Sequence, residues 1–214
     1  ILITLNFSIN FQKDNHPKIA QELYKKTWFT TKQYFKPCFQ RKTFFCSFNE
    51  GEKKPTVFLV GDSIMASIQE DLKTNLLKRD INFIPMTNAG CDFLEIDDGK
   101  TCNKKIFDNR QKKIDQKLGS TIIFHLNYIQ AKDDDIFFNE SFIKKINYYL
   151  KKNYKIILIY PIPYLDENVS MEIEKNLIDK KNKFNFINID FKRFLKESEK
   201  ISTIFDTLNH ENIY

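Results

Sequence analysis

The chain has 214 residues, of which 42% are hydrophobic, which suits one domain with a sizeable core and does not require two. Its net charge of +6 comes from lysines scattered among acidic residues, without the long basic block interleaved with aromatics that is typical of nucleic-acid binding. The charge therefore argues against a nucleic-acid partner and leaves attraction to an anionic polymer open.

The first part of the chain, residues 1–54, is predicted to be a lead-in that packs against a domain at 55–214. The opening run Ile1–Phe7 is hydrophobic but too short to span a membrane, and no signal peptide is visible. Because this run is typical of the tail of a hydrophobic segment, we expect the chain to belong to a longer protein. The first predicted helix starts at His16-Pro17 and ends near Tyr24.

Four cysteines form two pairs that are close in sequence, Cys38 with Cys46 and Cys91 with Cys102. Neither spacing fits a zinc knuckle, and no histidine is near enough in sequence to complete one, so no metal site is predicted. Two small disulfide loops fit the pairs better than four buried thiols do. Such loops predict an oxidising compartment.

Hydrophobic strands alternate with amphipathic segments from Thr56 onward. The run Thr56–Val60 predicts a buried strand, Gly61 ends it, and apolar residues at helical spacing predict a helix to about Arg79. Further strands are predicted at 82–86, 121–126, 155–160 and 186–189, with helices at 104–117, 141–152 and 170–183 and a terminal segment at 204–210. This alternation predicts an α/β fold, a three-layer α/β/α sandwich around a parallel sheet of about five strands.

Ser63 lies at the junction between the first strand and its helix. The carboxyl ends of strands are where open α/β sheets bind ligands, and a serine in the first helical turn is exposed beside unpaired N–H groups. The position suits a nucleophile. The alternative is that Asp62 or Ser63 only caps the helix.

A serine nucleophile needs a base, and histidine is the usual one. His125 lies within an apolar strand, where we expect a packed and hydrogen-bonded core residue. His210 follows Asp206 in a short polar segment, where both side chains can point to the end of the sheet. His210 is therefore the preferred candidate for the base.

Four short blocks together resemble those of the SGNH (GDSL-like) hydrolase superfamily over residues of about 55 to 210. In chain order these blocks are Gly61-Asp62-Ser63, Gly90, Asn127, and Asp206 with His210. The resemblance implies a flavodoxin-like SGNH fold and a hydrolytic or acyl-transfer site.

Further details resemble one branch of that superfamily, the SGNH domains fused behind integral-membrane acyltransferase family 3 O-acetyltransferases that modify bacterial surface polysaccharides. They are the cysteines at 38, 46, 91 and 102 and the strand end Tyr160–Pro163. The resemblance implies a preceding membrane acyltransferase domain and a location on the periplasmic or extracytoplasmic face of a bacterial membrane. It implies no cofactor.

The resemblance also assigns roles to single residues. Ser63 would be the nucleophile, His210 the general base and Asp206 the residue that orients it. The Ser63 and Gly90 N–H groups and the Asn127 amide would form the oxyanion hole. Three residues separate Asp206 from His210 where the family has two, so a Ser63–His210 dyad is an alternative. Asn127 could instead cap the strand exit, and Gly90 could be a turn glycine.

The expected function is that of a serine acyl-ester enzyme. It would transfer O-acetyl groups to, or remove them from, an envelope polysaccharide such as lipopolysaccharide. Its partners would be an acyl donor and a glycan acceptor. The alternative is a catalytically decayed domain of the same fold that binds carbohydrate or docks another protein.

Overall fold

A parallel β-sheet forms the centre of the fold in the computed structural model, which describes residues 45–88, 91, 94, 103–126, 135–163 and 191–214. The strands are β1 (Thr56–Gly61), β2 (Asn82–Thr87), β3 (Thr121–His125) and β4 (Lys155–Ile159). Their order across the sheet is β2-β1-β3-β4, and all neighbouring pairs are parallel. The predicted fifth strand at 186–189 lies outside the described residues.

The two central strands are buried because helices cover both faces of the sheet. All six residues of β1 and four of the five residues of β3 are buried. Strands of this kind are continuous apolar runs without alternation, which explains why their positions could be predicted. Pro85 lies in β2, at the edge of the sheet, where a residue without an N–H is tolerated.

Five helices are described, and four of them differ from the predicted helices. Their bounds are α1 (Ser63–Ser67), α2 (Gln69–Lys78), α3 (Lys104–Asp115), α4 (Asp135–Lys151) and α5 (Phe191–Thr207). The single helix predicted after β1 is divided at Ile68, α4 begins six residues before its predicted start at Ser141, and α5 covers a region where no helix was predicted. The predicted helices at 16–24 and 170–183 lie outside the described residues.

Each face of the sheet has its own hydrophobic core. On one face, Met65 of α1 and partly buried leucines of α2 pack against Leu59 and Ile123. On the other, α3, α4 and α5 pack against Phe58 and Phe124. Helices on both faces of a parallel sheet confirm the predicted three-layer α/β/α architecture.

Short segments line both outer strands. The Phe48 and Phe83 main chains exchange two hydrogen bonds (2.9 and 3.0 Å), so part of the predicted lead-in lies along β2. Beside β4, Ile213 forms a parallel bridge with Ile156, and the Leu158 N–H donates to the Tyr214 carbonyl at 3.0 Å. The C-terminal residues therefore occupy this stretch of the outer edge of β4. The domain boundary at residue 55 stays a prediction.

Candidate active site

The Ser63 turn is built by the end of β1 and the start of α1. Asp62 is the N-cap of α1, with its side-chain Oδ1 accepting a hydrogen bond from the Ile64 N–H at 2.8 Å. Asp62 is buried, whereas Ser63 is the first residue of the helix and is exposed. The cap is therefore Asp62, and the Ser63 hydroxyl is left facing solvent at the carboxyl end of the sheet.

The loop that follows β2 is attached to the same turn. The Asn88 N–H donates to the Gly61 carbonyl oxygen at 3.0 Å, and the Cys91 N–H donates to the Asn88 carbonyl at 3.0 Å. Asn88 and Cys91 are both buried. Asn88 therefore lies directly beside the Ser63 turn, while Gly90 lies outside the described residues and its role stays a prediction.

Cys91 and Cys46 are both disulfide-bonded. Cys38 and Cys102 lie outside the described residues, so the pairing of the four cysteines stays a prediction. The buried Asn88 amide donates to the Cys91 sulfur at 3.5 Å, which connects this sulfur to the loop beside Ser63.

Arg110 is a buried component of the site that the sequence interpretation missed. It lies on α3 with no exposed surface, and its Nη2 donates to the carbonyl oxygens of Gly61 (3.2 Å) and Cys91 (3.4 Å). The available signal was its spacing, because Arg110 falls four residues after Ile106 and four before Ile114, on the buried stripe of the helix. A charged residue on such a stripe indicates a specific acceptor in the interior.

His125 lies beside the Ser63 turn. The register pairs Val60 with Phe124, which places His125 level with Gly61 on the neighbouring strand. The residue is 1% exposed, which confirms the predicted burial, and among the described residues its Nδ1 has no hydrogen-bond partner. Burial lowers the pKa of His125, and the nearby Asp62 carboxylate opposes that shift in part. The imidazole is consequently held neutral near Asp62.

Asp206 and His210 lie beside β4, and β3 separates β4 from β1, the strand that precedes Ser63. Asp206, on α5, accepts a hydrogen bond from the Tyr160 hydroxyl. His210 is exposed, and its Nδ1 accepts from the Asn212 N–H at 3.1 Å. Among the described residues, no hydrogen bond joins the side chains of Ser63, Asp206 and His210.

The sheet register gives the scale of this separation. Phe58, Ile122, Ile156 and Ile213 are level across four adjacent segments. With a rise of about 3.3 Å per residue and about 4.8 Å between strands, Ile213 lies roughly 17 Å from Gly61, the last residue of β1 before the Ser63 turn. A turn in which the Ile213 N–H donates to the His210 carbonyl at 2.9 Å keeps His210 beside Ile213. The described geometry therefore does not bring His210 to Ser63.

Three further predictions concern Asn127, a metal site and a membrane span. Asn127 lies outside the described residues, directly after the end of β3 and Leu126. Within the described ranges there is no group of three or more histidine, cysteine or acidic residues that could hold a metal ion. No helix in the described part of the chain is long and apolar enough to cross a membrane.

Comparison with known proteins supplies a family. No curated protein matches the chain. Among solved structures, the chain is similar to the periplasmic domain of a lipopolysaccharide acetyltransferase from Salmonella ser. Paratyphi A, with a TM-score of 0.54 and 15% identity over 83% of this chain and 76% of that chain. This likeness concerns the fold. A family model described as "SGNH domain (fused to AT3 domains)" matches residues 36–214. Because the match covers most of the sequence and agrees with the resemblance of the four blocks, the chain belongs to the family of SGNH domains that are fused to AT3 domains.

Proposed function

We propose that the chain is a serine acyl-ester enzyme that transfers O-acetyl groups to, or hydrolyses them from, a bacterial envelope polysaccharide. The single observation that supports this most is the Ser63 hydroxyl, exposed in the first turn of α1 at the carboxyl end of the sheet. Because Asp62 makes the capping bond, the Ser63 hydroxyl is available for chemistry. Family membership supports the same reaction class.

The proposed reaction has two half-steps. The Ser63 oxygen attacks the acyl carbon of the donor, the base takes the hydroxyl proton, and the bond from the acyl carbon to the donor oxygen then breaks. The departing oxygen takes up that proton, leaving an acyl-enzyme. Water or a sugar hydroxyl next attacks the acyl carbon and loses its proton to the base. The bond from the acyl carbon to the Ser63 oxygen then breaks, Ser63 takes the proton back from the base, and the acyl group leaves as an acid or as a new ester.

His210 is the proposed base and Asp206 the residue that orients it. Both assignments rest on the resemblance of the four blocks, with the Ser63–His210 dyad as the simpler version. For His210 to reach Ser63, residues 208–212 must leave the position they hold near the edge of β4. The Ser63 and Gly90 N–H groups and the Asn127 amide are the proposed oxyanion donors. Donors of this kind contribute about 3 to 4 kcal/mol each to lowering the barrier.

The proposed location is the periplasmic or extracytoplasmic face of a bacterial membrane. The fusion described for the family supports a preceding membrane acyltransferase domain that delivers acyl groups. The similar Salmonella domain is itself periplasmic and part of a lipopolysaccharide acetyltransferase. The disulfide bonds of Cys46 and Cys91 are in keeping with an oxidising compartment. The glycan acceptor and the acyl donor are the proposed partners.

Release of p-nitrophenol from p-nitrophenyl acetate tests the nucleophile, with and without a polysaccharide acceptor in the reaction. Ser63→Ala is the test variant and Ser67→Ala the matched control, since Ser67 is exposed on the same short helix. We expect Ser63→Ala to abolish release and Ser67→Ala to retain it. Equal rates for the wild type and Ser63→Ala would overturn the assignment of Ser63.

A non-catalytic carbohydrate-binding or docking domain is the second candidate. The observation that favours it is the separation of His210 from Ser63 in the described geometry. A mass spectrum after incubation with the acetate ester distinguishes the two. An acetyl group on Ser63 supports catalysis, whereas glycan binding without acetylation, unchanged by Ser63→Ala, supports docking.

A further inference from the structure

Arg110 connects two loops that lie at the carboxyl end of the sheet. Its Nη2 is 3.2 Å from the Gly61 carbonyl oxygen, two residues before Ser63, and 3.4 Å from the Cys91 carbonyl oxygen. The Gly61 oxygen also accepts from the Asn88 N–H at 3.0 Å. The guanidinium therefore joins the end of β1 to Cys91, and a main-chain hydrogen bond joins the same carbonyl of Gly61 to Asn88.

Burial of this guanidinium needs a reason beyond packing. Arg110 is the largest fully buried side chain among the described residues, and its neighbours on the buried stripe of α3 are Ile106, Phe107 and Ile114. Removing a charge from water costs free energy, so an aliphatic residue at this buried position would destabilise the fold less than an arginine does. What an aliphatic residue cannot do is donate to two main-chain carbonyls at once, which the planar guanidinium does.

The two carbonyls belong to segments whose relative position matters for acyl transfer. Ser63 begins α1 two residues after Gly61, and its N–H is a proposed oxyanion donor. Asn88 and Cys91 lie beside the same turn. A displacement of about 1 Å between reacting groups can reduce a rate by about 100-fold. A buried positive charge close to this turn also favours negative charge developing above it.

We propose that Arg110 is a positioning residue of the site: it holds the Ser63 turn and the Asn88–Cys91 loop at the separation that the transition state requires. The proposal rests on the proposed acyl-transfer function of Ser63. It predicts a defect in the chemical step, because the guanidinium lies beneath the loops, fully buried, and not on the surface that substrate approaches.

The test compares Arg110→Met, Arg110→Lys and Arg110→Ala in the full chain, with Lys112→Met as the control. Lys112 is exposed on the same helix, so this control removes one positive charge without touching the loops. For p-nitrophenyl acetate we expect kcat to fall by roughly 10- to 100-fold in Arg110→Met, with KM changed less than about 3-fold. Arg110→Lys should be intermediate, and Lys112→Met should match the wild type.

Chemical rescue separates positioning from a general loss of stability. Guanidinium ion at non-denaturing concentration should raise kcat of Arg110→Ala and leave the wild type and Lys112→Met unchanged. If Arg110→Met does not fold, the kcat of Arg110→Lys and the rescue of Arg110→Ala decide the question. An unchanged kcat in folded Arg110 variants overturns the proposal while Ser63→Ala remains inactive. Full activity of Ser63→Ala would instead remove the proposed function.

Discussion

Gly61 offers the sharpest test of how tightly the Ser63 turn is packed. A Cβ at this position would lie 2.4 Å from the Met65 Cγ and 2.9 Å from the Met65 Cβ, whereas ordinary contacts begin at 3.4 Å. The φ of Gly61, +157°, is also one that L side chains rarely adopt. Met65 has no exposed surface and packs in the core beneath α1, so it has little room to retreat.

In Gly61→Ala, Met65 or α1 must therefore move by about 1 Å, an overpacking that costs about 1–3 kcal/mol of unfolding free energy. For a chain of this length the corresponding fall in Tm is on the order of 3–10 °C. Since Met65 and Ser63 share α1, ester hydrolysis should fall together with stability. Urea unfolding followed by circular dichroism measures the first effect, and p-nitrophenol release measures the second.

Gly51→Ala is the matched control for this substitution. There a Cβ would meet only the flexible side chain of Lys54, at 3.1 to 3.2 Å, and that side chain can shift. We expect a change within about 0.5 kcal/mol, as for most surface substitutions. If Gly61→Ala and Gly51→Ala unfold at the same urea concentration, the packing argument for the Ser63 turn is wrong.

Two further predictions concern pKa values. Burial lowers the pKa of His125 in the folded protein. Below a pH of about 6.5, this histidine is therefore protonated in the unfolded chain but stays neutral in the folded protein. The free energy of unfolding should consequently decrease there by up to about 1.4 kcal/mol per pH unit. In His125→Leu that acid-side slope should be shallower, and identical slopes in urea titrations across this range would contradict the prediction. The pKa of Tyr160 is raised chiefly because its hydroxyl donates to Asp206, so Asp206→Asn should lower it. Tyrosinate absorbance, with Tyr160→Phe identifying the signal, measures this shift, and unchanged titration in Asp206→Asn would refute the contact.

The strands could be predicted because each of them is a short, mostly apolar segment of the sequence. Four predicted strands agree with the structure to within one residue at each end, since strands buried on both faces are continuous apolar segments. Helix α5 was not predicted because its first half is rich in lysine and glutamate. The buried residues of α5 are spaced three and four apart, as in a helix, but one of them is a serine, so the apolar pattern is weak. They are Ser198, Ile201 and Phe205.

Arg110 and His125 were not predicted as parts of the site because their partners are distant in sequence. The Gly61 carbonyl lies 49 residues before Arg110, and no local pattern indicates which acceptor a buried arginine will find. His125 was correctly expected to be buried, yet its position beside Gly61 follows from strand pairing. For both residues the local sequence pattern indicated a buried position. That this position lies near Ser63 follows only from the order of the strands in the sheet.

The same distinction bears on the choice of base. Ser63 is positioned by its immediate neighbours, Gly61 and Asp62, so the sequence around it was sufficient to predict its exposure at the strand end. The position of His210 relative to Ser63 depends instead on how the chain crosses three strand spacings of the sheet. The short segment from Asp206 to His210 does not specify that path. In the described geometry its Nδ1 is engaged by the Asn212 N–H, and Asp206 is engaged by Tyr160. A triad of Ser63, His210 and Asp206 therefore requires both contacts to be exchanged, whereas the Ser63–His210 dyad requires only the contact of His210 to change. Tyr160→Phe, which frees Asp206, should raise the rate of ester hydrolysis if the triad operates and leave it unchanged if the dyad does, and a fall in that rate would contradict both.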